Sequence, residues 1–201
     1  ENTAQVEVII NAEPNLGILA GTETHALQYT PLATAAGKGN KPLVELLLPK
    51  NLDYSKEPAL VVATSQAAGH GQLEIVKLFI ERGGNPNYQL DKNYTMPLMA
   101  AACARNVEIT QYLLSRGAKP NPAQTRMGNS SPLLCVLGNG SRFPEHTQTI
   151  ASLLVKAGAD VNYREPGSGR TALHAAARLQ QLETAKLLLI AGANPDIKDK
   201  D

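Results

Sequence analysis

This 201-residue sequence predicts an all-α repeat solenoid. Three observations predict it. The chain has no Trp and only two Phe, so a core of this size must be filled by Ala, Leu, Ile and Val. Such side chains suit thin helical layers that approach closely. One apolar pattern recurs along the chain: its proline-slot positions 31, 63, 97, 132 and 172 are spaced 32, 34, 35 and 40 residues apart. Glycines punctuate each copy at matching offsets.

The first full copy starts at Thr30-Pro31-Leu32. Thr30 suits an N-cap and Pro31 a first helical residue, where the missing N–H costs nothing. Ala35-Ala36, Ala67-Ala68, Ala101-Ala102 and Ala176-Ala177 give each first helix a small face that lets a neighbour come close. Gly39 and Gly71 separate the first helix from the second. In the second copy, Leu73, Ile75-Val76 and Leu78-Phe79 fall at helical spacing. Second helices are expected to end at Gly83, Gly117, Gly158 and Gly192, each in a left-handed C′ position, with Asn51 in that slot of the first copy. Asn85-Pro86-Asn87, Lys119-Pro120-Asn121 and Asp160-Val161-Asn162 then open an extended turn, or finger, leading into the next copy. A single unit cannot bury both faces, whereas stacked units can.

These motifs resemble the ankyrin repeat. The resemblance rests on Thr30-Pro31-Leu32, Gly71-Gln72-Leu73-Glu74-Ile75-Val76-Lys77-Leu78, Gly158-Ala159-Asp160-Val161-Asn162 and Thr171-Ala172-Leu173-His174-Ala175-Ala176. It implies helix-turn-helix units joined by β-turn or hairpin fingers. The expected organisation is a partial N-terminal repeat with a long first finger (1–29), then repeats at 30–57, 58–90, 91–125, 126–165 and 166–201. The fourth carries an insertion between its helices near 138–146, and the last runs into the start of another finger. The array is divergent. The family's Thr-Pro-Leu-His is complete nowhere, its His survives only at His174, and Val62-Ala63-Thr64 stands where the second unit would have Thr-Pro-Leu. In the family that His bonds between neighbouring units. Neither end reads as a polar cap, so the chain is expected to be part of a longer protein that continues past Asp201.

Composition and motifs exclude several function classes. A net charge of +1 with alternating signs gives no basic stripe for nucleic acid. No run of eighteen apolar residues exists to span a membrane. The four His fall in different units or loops, and Cys103 and Cys135 form no CxxC, so no metal site is expected. The two cysteines read as reduced, small buried hydrophobes, although cysteines on neighbouring stacked helices could lie close. No nucleophile elbow, phosphate-binding loop or dinucleotide fingerprint is present, and Gly167-Ser168-Gly169-Arg170 reads as a flexible turn. No catalytic residue and no cofactor are expected.

What remains is surface. In the ankyrin family, fingers and the exposed positions of first helices form a concave face that holds a protein partner. That mapping assigns partner contact to Tyr54 and Lys56 in the first repeat's finger, and to Tyr88, Leu90, Asp91, Lys92 and Tyr94 in the next. It continues with Arg126 and Met127, then Tyr163, Arg164 and Arg170. First helices add Lys38, His70 and Arg178. The reading is a monomeric, non-catalytic, cytoplasmic interaction module, part of a scaffold, regulatory or microbial effector protein, the last of which would place it in a host cytosol. The alternative is a targeting or regulatory domain of an enzyme whose catalytic part lies outside the chain. Asn121 and Asn162, each eight residues after a leucine, resemble the finger asparagines that asparaginyl hydroxylases modify.

Overall fold

A computed structural model describes residues 30–48, 54, 57–87, 96–121, 131–138 and 144–200. The segment 1–29 and the Asn51 slot lie outside them. The chain forms two compact units, one ending at Ala100 and the other beginning at Ala101. The described residues contain ten helices and no strand. In order these are α1 (Pro31–Lys38), α2 (Lys41–Leu47), α3 (Pro58–Gly69), α4 (Leu73–Glu81), α5 (Pro97–Cys103), α6 (Val107–Ser115), α7 (Pro132–Gly138), α8 (Pro144–Lys156), α9 (Ala172–Arg178) and α10 (Leu182–Ile190). The fold is an all-α repeat solenoid.

Three first helices, α1, α7 and α9, start behind a hydroxyl residue, whereas α3 follows Glu57 and α5 follows Met96. Thr30 Oγ1 accepts from the Ala33 N–H (3.2 Å) and Ser131 Oγ from the Leu134 N–H (3.1 Å). Thr30, Ser131 and Thr171 are all buried, so each cap also keeps a polar group satisfied inside the repeat. Second helices of two repeats use asparagine instead: Asn40 Oδ1 accepts from Leu43 N–H (3.2 Å) and Asn106 Oδ1 from Ile109 N–H (2.9 Å). The turn between the two helices needs a left-handed residue. Gly39 and Gly71 provide it, while Arg105 (φ 57°) and Gln180 (φ 55°) occupy the same position in later repeats without glycine's freedom. The four glycines that close second helices, Gly83, Gly117, Gly158 and Gly192, all have positive φ, as the spacing predicts.

Packing follows the repeat. In the first unit α1 lies against α2 and α3, and α3 against α4. In the second, α7 packs on α9, α6 on α8 and α8 on α10, so first helices meet first helices and second meet second. Ala36, Ala67, Ala68, Ala101 and Ala102 are wholly inaccessible to solvent, which is the close approach their size permits. Phe79, Ile109, Leu113, Leu154 and Leu188 fill the space behind them. The last described repeat is open on one side: Ala177 is exposed where its counterparts Ala36 and Ala102 are buried, and Leu189 is 47% and Ile190 87% exposed.

Three expectations are corrected here. The second repeat's first helix begins at Pro58, five residues before the Ala63 slot, because Pro58 starts a helix as well as Pro31 does and residues 59–64 are all buried. Thr64 and Ser65 satisfy their hydroxyls on the carbonyls four residues back, at 2.6 and 2.9 Å. In the fourth repeat, residues 144–146 of the expected inter-helix insertion form the first turn of α8. Finally, Cys103 and Cys135 are not separate thiols but a disulfide, with Cα atoms 5.2 Å apart. One repeat separates them in sequence, so they sit at neighbouring positions on α5 and α7. On the chain-entropy account, closing a loop of this length stabilises by about 3–4 kcal/mol.

Three substitutions test this packing by urea unfolding. Phe79→Ala should cost about 3–5 kcal/mol, whereas Leu189→Ala on the open side should cost less than about 1 kcal/mol. Gly39→Ala should cost about 1–2 kcal/mol, because φ is 77° and a Cβ there would sit 2.5 Å from Gln72 Oε1. Equal losses for Phe79 and Leu189 would contradict the one-sided exposure.

Candidate interaction surface

The fingers are held by a repeating asparagine clamp. Asn121 Nδ2 donates to the Gly158 carbonyl and its Oδ1 accepts from Asp160 N–H, both at 2.8 Å. One repeat later, Asn162 Nδ2 donates to the Gly192 carbonyl (3.0 Å) and its Oδ1 accepts from Asn194 N–H (2.8 Å). Each clamp thus reads the left-handed glycine turn of the following repeat through two hydrogen bonds. Inside the fingers, Asp160 Oδ1 accepts from Asn162 N–H and Asn194 Oδ1 from Asp196 N–H, each at 2.9 Å. These are Asx turns that set the chain's direction. The two asparagines that resemble hydroxylase targets are therefore structural clamps.

The finger between α8 and α9 is the best defined. Glu165 N–H donates to the Arg170 carbonyl (2.8 Å), and Gly169 N–H to the Glu165 carbonyl (2.7 Å). Ser168 donates its hydroxyl to the Glu165 carboxylate. The next finger locks on: Lys200 N–H donates to the Ser168 carbonyl (2.8 Å), Lys200 Nζ to that of Pro166 (2.8 Å), and Arg164 Nη2 to that of Lys198 (2.9 Å). Arg170 Nε pairs with Asp199 Oδ2 at 3.2 Å. Residues 167–170, expected to be a flexible turn, are pinned on both sides.

This finger and the first helices enclose a cavity of about 410 Å³ in the second unit. Leu134, Cys135 and Gly138 of α7 form one wall and His174, Ala175 and Arg178 of α9 another, with Glu165, Arg170 and Asp199 at the finger side. Arg178 Nη2 donates to the Gly138 carbonyl (3.1 Å), tying α9 to the end of α7. His174 Nδ1 accepts from Thr171 N–H (3.2 Å) and lies 2.9 Å from its hydroxyl. The ring's proton is thereby assigned to Nε2, and the Nδ1 bonds stay within the repeat. Arg170 and Arg178, both assigned to partner contact, are brought to the same cavity.

The other assigned residues divide by environment. In the first unit, Lys38 and His70 are exposed at the C-terminal ends of α1 and α3, where the His70 ring lies against Gly37. His70 Nδ1 donates to the Gln66 carbonyl at 2.8 Å. Tyr54 accepts a hydrogen bond from Arg82 Nη1 (3.1 Å), so it braces the end of α4. Arg164 is spent on the finger pairing just described. Tyr163 is half-buried, and burial, reinforced by the charges of Glu165 and Asp160, pushes its hydroxyl above the ordinary value. Lys56, Tyr88, Leu90, Asp91, Lys92, Tyr94, Arg126 and Met127 lie outside the described residues. The cavity residues Leu134, Cys135, His174 and Asp199 were not assigned from sequence. For Cys135 a signal existed, since it follows Cys103 by one repeat.

With the geometry in place, comparison with known proteins is informative. A family model for ankyrin repeats in three copies matches residues 65–143, and a single ankyrin repeat matches 168–200. The chain belongs to the ankyrin repeat family. Ankyrin relatives are found in distant settings. An ankyrin repeat protein of fowlpox virus is 35% identical over 117 residues, covering 58% of this chain and 32% of that protein. The ankyrin repeat and KH domain-containing protein mask-1 of Caenorhabditis elegans is 31% identical over 198 residues, 96% of this chain and 7% of its own length. The phosphocholine transferase AnkX of Legionella pneumophila is 26% identical over 130 residues, covering 65% and 13%. The chain thus spans at most about a third of these three proteins. Among the described residues, no helix is long and apolar enough to cross a membrane.

Removing one ankyrin clamp should loosen the C-terminal finger. Asn162→Ala deletes two hydrogen bonds and should cost about 1–2 kcal/mol, read as a lowered thermal midpoint together with faster amide exchange at Asn194. A variant with wild-type exchange at Asn194 would show that the clamp is dispensable.

Proposed function

We propose that this chain is a non-catalytic protein-interaction module, which holds a partner segment across the exposed ends of its first helices and the adjoining fingers. Ankyrin repeats are generally modules of this kind. The observation that carries the reading is the cavity between α7, α9 and the finger, with Arg170 and Arg178 in its wall. In the first unit, Lys38 and His70 are exposed at the ends of α1 and α3. The site is pre-organised: its finger is already bonded on both sides, so binding orders little chain. Exposed Lys38 and Arg178 suit an acidic segment, while Arg170 is balanced by Asp199. The module acts as a monomer in the cytoplasm, or in a host cytosol if its parent is a microbial effector. A second reading makes it the targeting domain of an enzyme. It draws on AnkX and on the E3 ubiquitin-protein ligase KEG of Arabidopsis thaliana, whose names denote enzymes and of which this chain matches 13% and 12%.

Affinity capture with charge-reversed variants tests the surface. Lys38→Glu with Arg178→Glu should remove partners that the wild type retains, with unchanged far-ultraviolet circular dichroism. Lys186→Glu, on the outer face of α10, should retain them. Identical partner sets for the double variant and the wild type would reject the assignment.

A further inference from the structure

The Cys103–Cys135 disulfide lies beside the cavity assigned above to partner binding. The two cysteines differ in their relation to the cavity. Cys135 lines the cavity of about 410 Å³, whereas Cys103, at the end of α5, does not. That volume lies in the range of small-ligand sites, roughly 300–1,000 Å³. The cavity also carries charges of both signs. Arg178 is exposed, and its guanidinium bonds a backbone carbonyl and no carboxylate among the described residues. Glu165 accepts the Ser168 hydroxyl and faces no cation in an ion pair among them. Arg170 and Asp199 neutralise each other. The cavity wall therefore holds one cation, one anion and one cysteine of the disulfide.

We infer that Cys135 is a thiol-exchange site for a small zwitterionic thiol, held through its carboxylate by Arg178 and through its ammonium group by Glu165. The thiolate of that molecule forms a bond to Cys135 Sγ. The Cys135–Cys103 bond breaks, and Cys103 leaves as a thiolate that takes a proton from solvent. The product is a mixed disulfide on Cys135. A second thiol then attacks the mixed disulfide at the small molecule's sulfur, releases Cys135 as a thiol and leaves the small disulfide. Two thiols have thereby been oxidised and one protein disulfide reduced. The covalent tie between α5 and α7, which flanks α6 in sequence, is thereby opened. In a reducing compartment the cavity is the route by which the tie is released, and in an oxidising one the tie persists.

Two arms test this. The oxidised wild-type chain is exposed to reduced glutathione or to uncharged 2-mercaptoethanol, quenched with acid and mapped by peptide mass. Glutathione should be found on Cys135 and not on Cys103. The glutathione-to-mercaptoethanol rate ratio should fall about two- to fivefold in Arg178→Ala, the scale of an exposed ion pair. In the second arm, Cys103→Ser and Cys135→Ser are each treated with oxidised glutathione, and the remaining Cys135 should react at least about threefold faster than the remaining Cys103. Modification of Cys103 first, equal rates in the second arm, an unchanged ratio, or two free thiols in the untreated protein would each overturn the inference. The mapping arm uses the wild-type chain, so it stands even if a variant fails to fold.

Discussion

The close approach of neighbouring first helices is the contact on which the rest of the molecule depends. In the first unit α1 meets α3 through alanines with no solvent-accessible surface, and in the second α7 meets α9. A side chain larger than alanine at Ala36 or Ala68 would hold the helices apart, and every contact behind them would lose its fit. Second helices follow from this spacing. Phe79, Leu113, Leu154 and Leu188 are fully buried only because the helices in front are close enough to close the layer. The fingers follow in turn. Asn121 and Asn162 reach the next glycine turn because the repeat rise is set by the first-helix contact, and their side chains are too short to bridge a wider gap.

This dependence explains where binding chemistry can reside. A stack held together along its inner faces leaves the finger edges and helix ends free to vary. The cavity beside α7 and α9 lies there, with Glu165, Arg170, Arg178 and Asp199 in its wall beside the buried Leu134 and Ala175. Two of those residues illustrate the economy of the arrangement. Arg178 ties α9 to the end of α7 with one N–H and keeps the rest of its guanidinium facing outward. Arg170 fixes the two fingers through Asp199 while still lining the cavity. The same positions thus define the shape of the site and supply its charge.

The disulfide alters the picture of a purely non-covalent stack. Most junctions between repeats here rely on apolar burial and backbone-directed hydrogen bonds. The junction between α5 and α7 adds a covalent bond that depends on redox conditions and not on packing alone. Its position sets it apart from a sealed structural staple, because Cys135 lines a cavity.

Much of this was legible in the sequence, for a physical reason. Capping, helix termination and apolar spacing are local, so Thr30, the C′ glycines and the face of α4 declare themselves within a few residues. The repeat, and with it the family, could be read from how often those local signals recur. The start of α3 at Pro58 could not, because helix length there is decided by whether neighbouring layers cover the extra turn, and residues 59–64 are buried. Nor could the fate of the charged finger residues. Arg164 and Arg170 look alike in sequence, yet one is spent on backbone carbonyls and the other lines a cavity. The cysteines mark the same boundary: their spacing of one repeat was visible, but only the distance between α5 and α7, set by the stacked layers, decided that they pair.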